Sequence, residues 1–103
     1  MSRPSQEALS SLTGIFSQLS DSTRLRLVLL LATGERNVGS LCEELKLRQP
    51  TVSHHLGLLR MNRLIVAKRD GKQIIYALGP NFKIVGGKLK ISLPECNVTV
   101  EGI

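Results

Sequence analysis

Gln49, Thr51, Ser53 and His54 lie within one short run, and each of these side chains can both donate and accept hydrogen bonds. Pro50 among them suits the first turn of a helix, where its missing N–H would be unpaired anyway. Polar groups at a helix start can read base edges or grip phosphates, because that end carries unpaired N–H groups and partial positive charge. A second set, Lys68, Arg69 and Lys72, surrounds Asp70-Gly71, a strong hairpin signal. Long cations at a hairpin tip can reach a phosphate or a narrow minor groove; taken alone, they equally describe a solvated tip. Arg48 and Arg60 flank the polar run and would add backbone contacts. His55 lies on the edge of the apolar stripe and reads either as a hydrogen-bonded packing residue or as a phosphate contact.

Other chemistries lack their residues. No nucleophile with a nearby base, no phosphate-cradling glycine loop and no paired acidic motif is present, so no enzyme is expected. Phe16, Tyr76 and Phe82 are the aromatic residues and do not make a stacking platform for single-stranded RNA. His54 and His55 are adjacent and cannot supply a four-ligand zinc cage; neither a metal nor another cofactor is expected.

These residues need elements to hold them. Val52, Leu56 and Leu59 fall on one side of a helix running from about Pro50 to Met61, while Pro50, His54, Gly57 and Met61 fall on the other. Gly57 would let that outer side approach a duplex closely. Val38, Leu41, Cys42 and Leu45 recur at i, i+3, i+4 and i+7, which predicts a short helix capped by Asn37 and joined to the first by a tight turn. Ile65–Arg69 and Gln73–Leu78 are rich in β-branched residues and predict the hairpin around Asp70-Gly71-Lys72.

Upstream, Ala8, Leu9, Leu12, Ile15, Phe16 and Leu19 mark an amphipathic helix from about Ser5 to Leu19. Ser20, Asp21 and Ser22 then offer caps for a helix from Thr23 to Ala32 that is apolar nearly all round and should be central, with Gly34 closing it. Downstream, Leu89, Ile91 and Leu93 alternate, as do Val98 and Val100, predicting a second hairpin with its turn at Pro94 to Asn97. Gly79-Pro80-Asn81 and Gly86-Gly87 are weak breaks.

The expected fold class is α+β: a winged helix-turn-helix with four helices, a hairpin wing and a short C-terminal strand extension. At 103 residues and 42% hydrophobic content the chain suits one domain, 1–103, with a core over 1–78 and an atypical strand-like tail over 79–103. Fourteen Lys and Arg against eight Asp and Glu leave a net charge of +6, which favours a polyanionic partner. No apolar run follows a basic start in Met1 to Glu7, so no secretory signal is expected. The longest apolar stretch, Leu27 to Ala32, falls far short of the roughly 18 residues of a membrane span. Two cysteines suit a reducing cytoplasm.

From Leu19 to Leu78 the sequence resembles the arsenical-resistance repressor (ArsR) family of bacterial winged-helix regulators. Leu19-Ser20-Asp21-Ser22-Thr23-Arg24-Leu25-Arg26-Leu27 looks like the family's opening, and Val38-Gly39-Ser40-Leu41-Cys42 like its third helix. Gln49-Pro50-Thr51-Val52-Ser53-His54-His55-Leu56 resembles its recognition helix, and Gly71-Lys72 through Tyr76 its wing. The resemblance implies a homodimeric repressor on a palindromic operator in double-stranded DNA, released by a metal, metalloid or redox signal, with no membrane partner.

Several positions depart from the pattern. Asn37 and Gly39 stand where metalloid-sensing members carry cysteines, leaving Cys42 alone. The tail lacks the histidines of the second familiar metal site. Thiol-sensing relatives pair a cysteine at the position of Cys42 with a distant C-terminal one, which makes Cys42 and Cys96 a candidate redox switch; against it, Cys42 belongs to an apolar stripe. Strands in place of the family's last helix suggest that the tail pairs across the dimer. Arg48 replaces the usual Ser or Thr cap. The competing readings are a winged-helix protein-interaction module without DNA affinity and a DNA-binding protein with no inducer.

Overall fold

Ser5, Asp21 and Asn37 each open a helix by the same device, a side-chain oxygen accepting an N–H from the first turn. Ser5 Oγ accepts from Ala8 N at 3.1 Å and starts α1 (Gln6–Leu19). Asp21 Oδ1 accepts from Thr23 N at 2.9 Å and Arg24 N at 3.1 Å and starts α2 (Ser22–Ala32). Asn37 Oδ1 accepts from Ser40 N at 2.8 Å and starts α3 (Val38–Leu45). The fourth helix, α4 (Gln49–Met61), follows Arg48, which makes no side-chain cap bond, so Pro50 in its first turn is the local start signal. The structure is a computed structural model that describes residues 5–93 and 96–102.

The helix burial shows one correction. Leu27, Val28 and Leu31 of α2 are buried, but Leu25 is exposed and Leu29 and Leu30 are only half-buried. Helix α2 is central as expected, packing against α1, α4 and the strands that follow, but it is not buried all round.

Between α2 and α3, β1 (Arg36–Asn37) joins a three-stranded antiparallel sheet with β2 (Ile65–Asp70) and β3 (Gln73–Leu78), in the order β1-β3-β2. Arg36 faces Tyr76 and Asn37 faces Ile75. Asp70 pairs with Gln73, so the hairpin loop is Gly71-Lys72, one residue shorter than the expected Asp70-Gly71-Lys72. Gly71 has φ +64 and Lys72 does not share the positive φ, the pattern of a type II′ turn with glycine first.

The C-terminal region corrects the sequence reading further. The expected hairpin forms as β5 (Lys88–Ser92) and β6 (Asn97–Val100), and an unexpected strand, β4 (Phe82–Val85), pairs with β5 to make a three-stranded antiparallel sheet. Gly86 (φ +57) and Gly87 (φ +76) supply the two positive φ values of a type I′ turn between β4 and β5. Pro94 and Glu95, within the expected turn before β6, lie outside the described residues, as do Met1 to Pro4 and Ile103; Leu93 N–H donates to Cys96 O at 2.9 Å across that turn. Phe82, Leu89 and Ile91 are buried in the same apolar cluster as Ile15, Leu27, Val52 and Leu59. The strands after Leu78 therefore share the core instead of hanging from it. No described helix is long and apolar enough to cross a membrane.

Candidate nucleic-acid interface

Helix α4 is held by Val52, Leu56 and Leu59, all essentially inaccessible to solvent, and this fixes which residues turn outward. Gln49, Thr51, Ser53, His54 and Arg60 are exposed along its outer side, with Arg48 exposed at its start. Gly57 belongs to the same side, where a Cβ would meet only open space. The hydrogen-bonding groups at the front of α4 thus lie free on a surface. The turn before them is shaped by Lys46, in the left-handed region at φ 56, with Leu47 N–H closing back to Cys42 O at 3.1 Å.

His55 lies elsewhere. Its side chain is 15% exposed and faces the start of α2, with Nδ1 3.3 Å from Arg24 Nη1 and 4.0 Å from Asp21 Oδ1. Arg24 Nε in turn donates to Gln18 O at 2.8 Å. Of the two roles open to His55, the geometry matches the packing one and places it off the outer side of α4. The Arg24 backbone N–H bond holds the Asp21 carboxyl below the usual carboxylate range; burial opposes this, and His55, the Thr23 N–H and the Arg24 charge reinforce it.

Beside α4 stands the β2–β3 hairpin, with Arg69 and Lys72 exposed at its tip and without an ion-pair partner among the described residues. Lys68 is engaged: its Nζ lies 3.2 Å from Glu35 Oε1. Helix and hairpin enclose a cleft of about 450 Å³, whose polar lining includes Asn37, Gln49, Ser53, Lys72, Gln73 and Tyr76. Asn37 Nδ2 donates to Gln73 Oε1 across its edge. Neither Asn37 nor Gln73 is among the site residues expected from sequence; the place of Gln73 beside the hairpin turn is the available signal.

Cys42 and Cys96 are free and half-buried, Cys42 against the core from α3 and Cys96 in the β5–β6 connection. Among the described residues, no three His, Cys, Asp or Glu side chains gather as a metal site.

Comparison with known proteins agrees with this geometry. Residues 21–66 match the family model described as bacterial regulatory protein, arsR family. The sequence is 41% identical over 76 residues to the arsenical resistance operon repressor of Escherichia coli K12, covering 73% of this chain and 65% of that protein. The transcriptional repressor BigR of Xylella fastidiosa is similar in structure, with a TM-score of 0.67 and 36% identity over 71% of this chain and 74% of that one. A homodimeric winged helix-turn-helix DNA-binding domain from Mycobacterium bovis gives a TM-score of 0.66 at 27% identity, over 76% and 75% of the two chains. The chain spans less than two thirds of the length of the Escherichia coli repressor and about half that of some other curated relatives. The four helices and β2–β3 hairpin form a winged helix-turn-helix.

Proposed function

The chain belongs to the arsR family of bacterial regulatory proteins, and from that membership we propose that it is a cytoplasmic, non-enzymatic repressor that binds a palindromic operator in duplex DNA as a homodimer. The observation that carries this reading is the outward presentation of Gln49, Thr51, Ser53 and His54 on a helix locked by Val52, Leu56 and Leu59. The exposed Arg48, Arg60, Arg69 and Lys72 would neutralise phosphates around that contact, with Lys68 drawn from its exposed pair with Glu35. A two-fold dimer would present two such helices, which is why the expected site is palindromic. Sequence-similar repressors and the homodimeric neighbour support the same reading.

The test is selection of bound duplex from a random-sequence pool by the purified protein, followed by titration across a salt series. An enriched palindrome, with affinity falling steeply as salt rises, is the expected result. No enrichment, with weak and salt-insensitive binding, would favour a protein-interaction module. The inducer reading that the two free thiols support is release by oxidation at Cys42 and Cys96. Unchanged DNA affinity under oxidant or a persulfide donor, with Cys42→Ser equally indifferent, would discard it.

A further inference from the structure

Asn37 touches two elements with opposite ends of one amide. Its Oδ1 accepts Ser40 N–H at 2.8 Å, while its Nδ2 donates to Gln73 Oε1 at the first position of β3. A backbone N–H can only donate, so the Asn37 oxygen must face α3 and its nitrogen must face the hairpin. A donating nitrogen then requires Gln73 to offer its oxygen. The two amides form a relay that leaves Gln73 Nε2, with two N–H groups, without a partner among the described residues. Gln73 lines the cleft between α4 and the hairpin, together with Gln49, Ser53 and Lys72, and no carboxylate lines that cleft.

A lining that carries one cation, several side chains able to donate and no acid suits a ligand that only accepts, and phosphate oxygens only accept. We propose that this cleft seats one backbone phosphate of the bound duplex, and that Asn37 is a positioning residue that turns the donor side of Gln73 toward it. The inference rests on the duplex-binding reading above. It makes the cap of α3 part of the interface: the N–H group that needs capping also fixes the orientation of an amide on the wing. Neutral donors add geometry here, so the seat helps set the distance between α4 in its groove and the hairpin beside it.

The test uses the full chain and a duplex that it selects itself, compared with copies carrying one neutral methylphosphonate at each backbone position in turn. Gln73→Ala removes the donor. Asn37→Ser keeps a neutral cap of similar rank but is too short to reach Gln73, so the amide loses its orientation. Gln73→Ala is expected to bind about 10-fold more weakly and Asn37→Ser about three-fold more weakly, both with wild-type thermal unfolding. One methylphosphonate position should weaken the wild type about 10-fold and Gln73→Ala by clearly less. Wild-type affinity in both variants, or an unchanged pattern of methylphosphonate penalties, overturns the inference while leaving duplex binding intact. A wild-type chain that selects no duplex overturns both.

Discussion

Arg36 Nε donates to Glu44 Oε2 at 2.6 Å, a bond that fastens β1 to the outer side of α3. The same guanidinium closes the end of α2: Nη1 donates to Leu30 O at 2.6 Å and Gly34 O at 2.7 Å, and Nη2 to Thr33 Oγ1 at 2.9 Å. Carbonyls at a helix end lack intrahelical partners, and a cation there also suits the helix dipole. The Arg36 side chain is 19% exposed and Glu44 39%, so the two ends of the bond differ in weight. Arg36→Ala is expected to cost about 2 to 3 kcal/mol and Glu44→Gln less than about 1 kcal/mol, read as shifts in urea midpoint. Equal losses would mean that the ion pair, and not the carbonyl contacts, is what matters.

Asp21 gives the fold an acid-sensitive joint. Its depressed folded pKa, set first by the Arg24 backbone N–H, means that the unfolded chain binds the proton more readily than the folded one. The stabilisation is complete above the ordinary aspartate value and is lost as pH falls through the depressed value. Asp21→Asn keeps an equivalent cap but does not titrate. Urea unfolding from about pH 5 down to about pH 2 should show a shallower acid decline in Asp21→Asn than in the wild type. Parallel declines would assign the acid sensitivity to other carboxylates.

Gly79 joins the two sheets under a tight constraint. A Cβ there would lie 2.5 Å from Arg63 O and 3.0 Å from Leu64 O, and Gly79 N–H is already bonded to Leu64 O at 2.8 Å. The backbone cannot withdraw without giving up that bond and moving Phe82, whose N–H donates to Gly79 O at 3.1 Å. Gly79→Ala should therefore cost about 2 to 3 kcal/mol, seen as a lower thermal midpoint. Wild-type stability would show that the 63–64 turn yields freely.

Much of this architecture was legible because local chemistry and global packing agree at the same residues. Asp21 and Asn37 cap helices whose apolar stripes begin just after them, and Pro50 marks a helix start that has no side-chain cap. The strand β4 was not legible: Phe82–Val85 is four residues long between glycine breaks, and only Phe82 is buried. Its pairing with β5 comes from the Gly86-Gly87 turn, which had read as a gap. The partners of His55, Asp21 and Arg24, lie more than thirty positions away in the chain, and no periodicity reports such a contact. The Asn37–Gln73 bond is equally long-range.

Helix α1 presents Leu9, 43% exposed, and Phe16, 52% exposed, seven residues apart on one side. Two turns of apolar surface left in water are costly for one chain and suit a two-fold contact with a second. Phe16→Asp should shift the protein from dimer to monomer in light scattering while retaining its helical spectrum, since each copy forfeits about 2 kcal/mol of apolar burial. A dimer of undiminished strength would move the contact elsewhere on the chain. Cutting the chain before Phe82 is not an equivalent test, because it would strip Phe82, Leu89 and Ile91 from the core.

Ser53 and His54 offer the sharpest separation between reading DNA and holding the fold. Both are exposed on the outer side of α4, neither makes a side-chain hydrogen bond among the described residues, and the helix is held instead by Val52, Leu56 and Leu59. Alanine at either position removes groups that can meet a base edge, so each should weaken binding to the selected duplex by about 1 to 3 kcal/mol with an unchanged melting temperature. His55→Ala is the internal contrast: its ring contacts Arg24 and Asp21, so its first effect should be on stability. If His55→Ala instead weakened binding at wild-type stability while Ser53→Ala and His54→Ala bound normally, the side of α4 that meets the duplex would be the one turned toward α2.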